Sequence, residues 1–144
     1  MSYKSEFKND DAWNAIDSNI RLVKDGRLTH DAEKFVPILK ENGVKTIIRY
    51  YASSRRSKTV TRDEVRILSE HGFYFLPVYQ DNARRTRDFN QTKGAVAGRN
   101  AKEFIDYVGQ PKGTTIFFAV DTDFSKREIE KYVVPYFKGV NNPT

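Results

Sequence analysis

Carboxylates close two of the apolar runs in this sequence: Asp17 follows Ala15 and Ile16, while Asp121 and Asp123 follow TTIFFAV as a D-x-D. Residues two apart on an extended chain share a face, so Asp121 and Asp123 can both point into one cleft with Asp17 opposite. Crowded carboxylates raise one another's proton affinity, which lets one site hold a general acid beside an ionised base or nucleophile. Glycoside hydrolysis uses such a pair, at about 5 Å for retention and ~6.5–9.5 Å for inversion. The same oxygens also suit a magnesium or calcium ion. Local roles compete: Asp123 and Ser125 suit the cap of a following helix, and Asp121 suits acceptance of loop amides.

Other polar groups fall after apolar runs. Arg49, Tyr50 and Tyr51 end one, and Tyr79, Gln80 and Asp81 end another. Of these, Arg49, Tyr51, Tyr79 and Gln80 are candidates for substrate binding, with Tyr51 and Gln80 as sugar-orienting groups. Tyr51 equally fits packing at the rim, and Arg49 fits a pair with a neighbouring carboxylate inside the fold. Trp13, the only tryptophan, fits a sugar platform or a core residue. No phosphate-binding glycine loop, dinucleotide fingerprint, G-x-S-x-G or H-E-x-x-H occurs.

The elements that must position these groups repeat as an amphipathic helix, a glycine and a strand. Thr29 caps a helix with Ala32, Phe35, Val36 and Leu39 at i, i+3, i+4 and i+7, ended by Gly43 and followed by a strand over residues 44–51. Thr61 and Glu64 form a T-x-x-E capping box that opens a helix burying Val65 and Leu68. Gly72 ends it before FYFLPVY, where Pro77 predicts a bulge or strand end. A third helix carries Ala101, Phe104, Ile105 and Val108 and leads through Gly109 and Gly113 to a strand over residues 114–120. Ser125 and Glu128 box the start of a last helix. A weaker first strand fits residues 13–18. Strands alternating with helices of this length predict an α/β class with parallel strands, because a helix fills each parallel crossover. Ligand sites in such folds lie at the carboxyl ends of the strands, where the polar residues above fall.

The 144 residues suffice for one domain. Residues 1–14 read as an N-terminal extension and 15–144 as the domain. Four βα units make about half of a closed eight-unit barrel, which needs at least roughly 200 residues, so the domain is expected to be incomplete at its C-terminus. Open sheet edges would then invite dimerisation. No cysteine is present, which excludes disulfides, thiol nucleophiles and cysteine metal sites, and two histidines are too few for a three-histidine zinc site. No apolar run is long enough to span a membrane, and residues 1–11 lack the apolar core of a signal peptide, so export would have to be directed from outside this sequence. A net charge of +6 permits attraction to polyanions, but it is spread evenly over both halves. The clusters Arg55, Arg56, Lys58 and Arg84, Arg85, Arg87 lack interleaved aromatics, so specific nucleic-acid binding is not expected and both clusters are placed in solvated loops.

The stretches AIDSN, GVKTIIRYYA, HGFYFLPVYQD and TTIFFAVDTDF, in this order and spacing, resemble the Rv2525c-like glycoside hydrolase-like domain family (DUF1906), similar in architecture to the GH25 lysozymes. The resemblance implies a TIM-barrel-like fold whose strand-end acids face a glycan such as bacterial peptidoglycan, with no metal or cofactor. It implies Asp17 as the first-strand acid and Asp121 with Asp123 as the fourth-strand pair, Asp123 donating the proton. Two departures stand out. The lysozymes carry D-x-E where this chain has Asp123, one methylene shorter, and Ala15 replaces a first-strand glycine. A catalytically inert carbohydrate-binding module is the alternative, and a metal-dependent phosphoesterase a second one.

Overall fold

A computed structural model describes residues 15–143. Residues 1–14, including Trp13 and the segment read as an extension, lie outside the described residues. The order is β1 (Ala15–Asp17), β2 (Val23–Lys24), β3 (Arg27–Leu28), α1 (His30–Glu41), β4 (Thr46–Tyr51), α2 (Arg62–Glu70), β5 (Tyr74–Tyr79), α3 (Gln91–Val108), β6 (Phe117–Phe118), α4 (Lys126–Glu128), a π turn (Ile129–Val133) and α5 (Val134–Asn141). β1, β4, β5 and β6 form one sheet in that order, each neighbouring pair parallel. The α/β class and the parallel strands are therefore as the sequence predicts, and the fold is a partial TIM-barrel-like one.

Helix starts are set by side chains that satisfy orphan amides. Thr29 accepts from Ala32, Thr61 from Glu64, and Asn90 from Lys93. Ser125 and Glu128 form the reciprocal box. Three local expectations are corrected. Pro77 makes no bulge: register runs unbroken from Thr46↔Tyr74 to Tyr51↔Tyr79. The amides of Tyr74 and Gln80 both turn toward β4, so the missing amide at position 77 falls on the β6 side. Pairing with β6 begins only at Val78. For the same reason the strand expected over residues 114–120 shrinks to Phe117–Phe118, since β6 meets only the part of β5 beyond the proline. Third, Phe35 does not join the buried face of α1 and remains 49% exposed.

Two features carry no earlier expectation. Asp25 and Gly26, both at positive φ, turn β2 into β3 as the D-G pair of a tight hairpin. Between α4 and α5 the chain widens so that the Val134 amide reaches the Ile129 carbonyl. Pro135 follows at once, and the wider turn relieves the clash its ring would make in a regular helix.

Alternation along β4 and β5 divides the sheet into two unlike faces. Ile47, Arg49, Tyr51, Phe75 and Tyr79 are buried beneath helices, whereas Ile48, Tyr50, Leu76 and Val78 on the other face are half-buried. Tyr51, Phe75 and Tyr79 pack with Ala97 and Ala101 of α3 and Tyr136 of α5, while Ile47 packs with Ala32, Val36, Leu68 and Phe73. The helical layer is closed by an unusually near approach of α3 to α5. A Cβ on Gly94 would overlap the Tyr136 carbonyl, one on Gly139 would overlap the Gln91 carbonyl, and one on Gly98 would stand 2.6 Å from the Val140 oxygen. Gly94→Ala gains about 1 kcal/mol of helix propensity but forces backbones apart at a cost of about 1–3 kcal/mol or more. The expected outcome is a lower Tm by thermal melt.

Candidate active-site cleft

Cutting across the carboxyl ends of β1, β4, β5 and β6 is a cleft of about 1180 Å³. Its walls hold Asp17 at the end of β1, Tyr50 from β4, Gln80 and Asp81 after β5, and Asp121 after β6. The Tyr50 hydroxyl donates to Asp17 Oδ2 at 2.5 Å. Partial burial and that carboxylate push the Tyr50 phenol up to about 12, so it stays a donor at neutral pH. Asp121 accepts from Arg84 Nε at 2.9 Å and from Gln80 Nε2 at 3.4 Å. Two carboxylates from opposite edges of the sheet thus reach one space, each with an attached donor.

Asp81 is fixed more firmly. One oxygen accepts from the Ser53 amide and hydroxyl at 2.7 and 2.8 Å, and the other accepts from the Tyr79 hydroxyl at 2.7 Å. Asn100 of α3 donates to that hydroxyl at 3.1 Å. Tyr79 is itself buried, bordering a smaller cavity of about 290 Å³ beside the cleft. Burial pushes its phenol well above the ordinary range. Its contact with the site passes through Asp81.

The remaining expected residues lie elsewhere. Asp123 is exposed and is not among the residues lining the cleft. The N-cap of the following helix is Ser125. Tyr51 is fully buried, stacks on Phe104 with centroids 4.8 Å apart and donates to Gln110 Oε1 at 2.8 Å, so it faces the helices and not the cleft. The physical reason is parity: β4 places alternate residues on opposite faces, and Tyr50 takes the open one.

Arg49 also faces the helices, fully buried, with Nε 2.5 Å from Glu64 Oε1 and an Nη2 bond to Glu64 Oε2 at 3.2 Å. The capping-box glutamate is thus the carboxylate that Arg49 pairs with inside the fold. The other ends of the guanidinium donate to the carbonyls of Ser18 and, at 2.9 Å, Ser57. These carbonyls belong to the segment leaving β1 just after Asp17 and to the loop carrying Lys58, so Arg49 positions the cleft from behind. Burial pushes the Glu64 carboxyl up, and the Arg49 charge pulls it back.

Sequence reasoning passed over Tyr50, Asp81 and the loop arginines. Arg84, Arg85 and Arg87, expected in a solvated loop, line the cleft with Lys58 and Lys93. Register places Tyr50 on the Asp17 face: Asp17 pairs with Ile48, and Tyr50 is two residues on. Among the described residues no three of His, Asp and Glu gather as a metal site, and no helix is long and apolar enough to cross a membrane.

A parallel βα sheet with carboxylates at the ends of both edge strands is the architecture of a partial TIM-barrel-like domain. The profile of the Rv2525c-like, glycoside hydrolase-like domain family matches residues 38–143, and the chain belongs to that family. It is similar to two Bacillus subtilis proteins described as uncharacterised: YbfG, 32% identical over 110 residues (72% of this chain, 15% of YbfG), and FadG, 28% identical over 132 residues (87% and 22%). Among solved structures it resembles the Tat-secreted Mycobacterium tuberculosis protein Rv2525c, crystallised in complex with HEPES, at 23% identity and TM-score 0.66 over 74% of this chain and 57% of that one. An uncharacterised B. stearothermophilus protein gives TM-score 0.59 at 22% identity, over 86% of this chain and 55% of that one. The chain therefore spans under a quarter of the curated relatives and a little over half of the structural ones.

Glu64→Gln leaves the Arg49 charge buried without a counter-charge, which costs about 3–5 kcal/mol. The expected Tm loss is large in a thermal melt, and Arg49→Met combined with Glu64→Gln recovers much of it.

Proposed function

We propose that the cleft binds a polysaccharide of the bacterial cell-wall type, with Asp17 and Asp121 flanking the bound chain and Tyr50 and Gln80 offering further hydrogen bonds to sugar hydroxyls. The observation that carries this reading is the convergence of Asp17 and Asp121, from the two edge strands, on one open cleft. Carboxylates and amides along an open groove suit sugar hydroxyls, which accept and donate at once. Membership of a glycoside hydrolase-like family supports the same class of ligand.

Binding is favoured over hydrolysis by the placement of the acids. Hydrolysis needs one carboxyl to deliver a proton to the leaving oxygen. Asp123, to which the resemblance assigns the proton, does not line the cleft.

With peptide-free glycan strands from peptidoglycan as the probe, Asp17→Asn and Asp121→Asn are each expected to weaken binding about tenfold or more in calorimetry, as loss of a charged acceptor does. Absence of binding by the unsubstituted chain overturns the proposal. Release of reducing ends that Asp121→Asn abolishes with Tm unchanged makes the domain a hydrolase instead.

Self-association through the sheet edges is a second proposal, supported by the half-exposed Ile16 and Phe117 on the edge strands β1 and β6. Light scattering is expected to give a mass that rises with concentration and falls back in Phe117→Lys; a monomer at all concentrations excludes it.

A further inference from the structure

Five cations and four carboxylates line the cleft, but they do not cancel. Asp81 accepts from Ser53 and Tyr79, Asp17 from Tyr50, and Asp88 from the amides of Arg84 and Arg85 at 3.3 and 3.0 Å. Among the described residues that line the cleft, only Asp121 forms an ion pair, with Arg84. Lys93 donates to the Arg87 carbonyl, and Lys58 lies 4.9 Å from the Tyr50 ring centre with a 3.4 Å bond to Gln80 Oε1. Among the described residues the exposed side chains of Arg85 and Arg87 form no ion pair.

The loop that carries them is built to hold its shape. Asp88 folds back onto the amides at its start, a single 3₁₀ turn covers Thr86–Asp88, and buried Phe89 packs edge-on against Phe124 and Tyr136 at 5.6 and 5.1 Å. The Asp121 amide donates to the Ala83 carbonyl at 2.8 Å, tying the loop to the segment after β6. Two unmatched guanidinium groups are thus held at the wall of a groove whose acids are already engaged.

We propose that the loop between β5 and α3 is an anion subsite of this cleft, where Arg85 and Arg87 receive a carboxylate carried by the bound sugar chain. The inference rests on the polysaccharide reading and adds to it a ligand class: an acidic glycan. A planar carboxylate matches the guanidinium fork through two parallel hydrogen bonds, which a sugar hydroxyl cannot offer. Lys58, whose proton affinity is lowered by burial and by Arg56 and drawn back up by Asp81 and Asp121, adds positive potential to the same wall.

The test compares peptide-free glycan strands with free lactyl carboxyls against the same strands after those carboxyls are amidated. Affinity for the acidic form is expected to be about tenfold higher at low salt and to fall as salt is raised. Arg85→Ala with Arg87→Ala is expected to bring the ratio near one. Equal affinity for both forms, or a ratio the double variant leaves intact, overturns the subsite while the polysaccharide reading stands. Binding of neither form overturns both. Tighter binding of poly(glycerol phosphate) than of the acidic strands overturns the carboxylate assignment in favour of phosphate.

Discussion

The buried pair of Arg49 and Glu64 is the interaction on which the rest of the cleft depends. Neither side chain retains any exposure, so both charges lose their hydration, and this loss offsets most of their attraction. The pair is therefore poorly explained as a source of stability. Its value is directional. One carboxylate from α2 fixes the Nε edge of the guanidinium, and the other nitrogens then reach the Ser18 and Ser57 carbonyls. A hydrophobic replacement could fill the same volume but could not tie the exit of β1 to the loop after β4, and those two segments carry Asp17 and Lys58.

The sheet's two faces explain what the sequence reveals and what it hides. Helix starts are legible because a cap is a local contract between residues three apart, as Thr61 with Glu64 and Ser125 with Glu128 demonstrate. The parallel class is legible from alternation of helix and strand. Which residue of Arg49, Tyr50 and Tyr51 faces the cleft is not, because the strand is apolar or aromatic on both faces and its pattern carries no period. One position decides between a core ring stacked on Phe104 and a phenol bonded to Asp17. Only the pairing with β1 fixes the parity, and pairing is a long-range property.

The loop arginines were hidden for a different reason. A run of Arg84, Arg85 and Arg87 in a polar stretch looks like solvated surface, and their side chains are indeed exposed. What turns exposure into a wall of the cleft is the anchoring of the loop at both ends, by Phe89 in the helical layer and by Ala83 against the Asp121 amide. Neither anchor is near in sequence to the partner it meets.

Asp121 joins these two halves of the site. It follows β6 and, among the described residues, is the one cleft carboxylate in an ion pair, so the loop that supplies Arg84 also supplies its counter-charge. Arg84 is 77% exposed at its side chain, so its pairing with Asp121 is a weak, exchangeable contact, worth little in water. An acidic ligand that drew Arg84 toward its own carboxylate would leave Asp121 with Gln80 as its remaining donor. Occupation of the arginine loop and the availability of Asp121 are then linked through a single side chain.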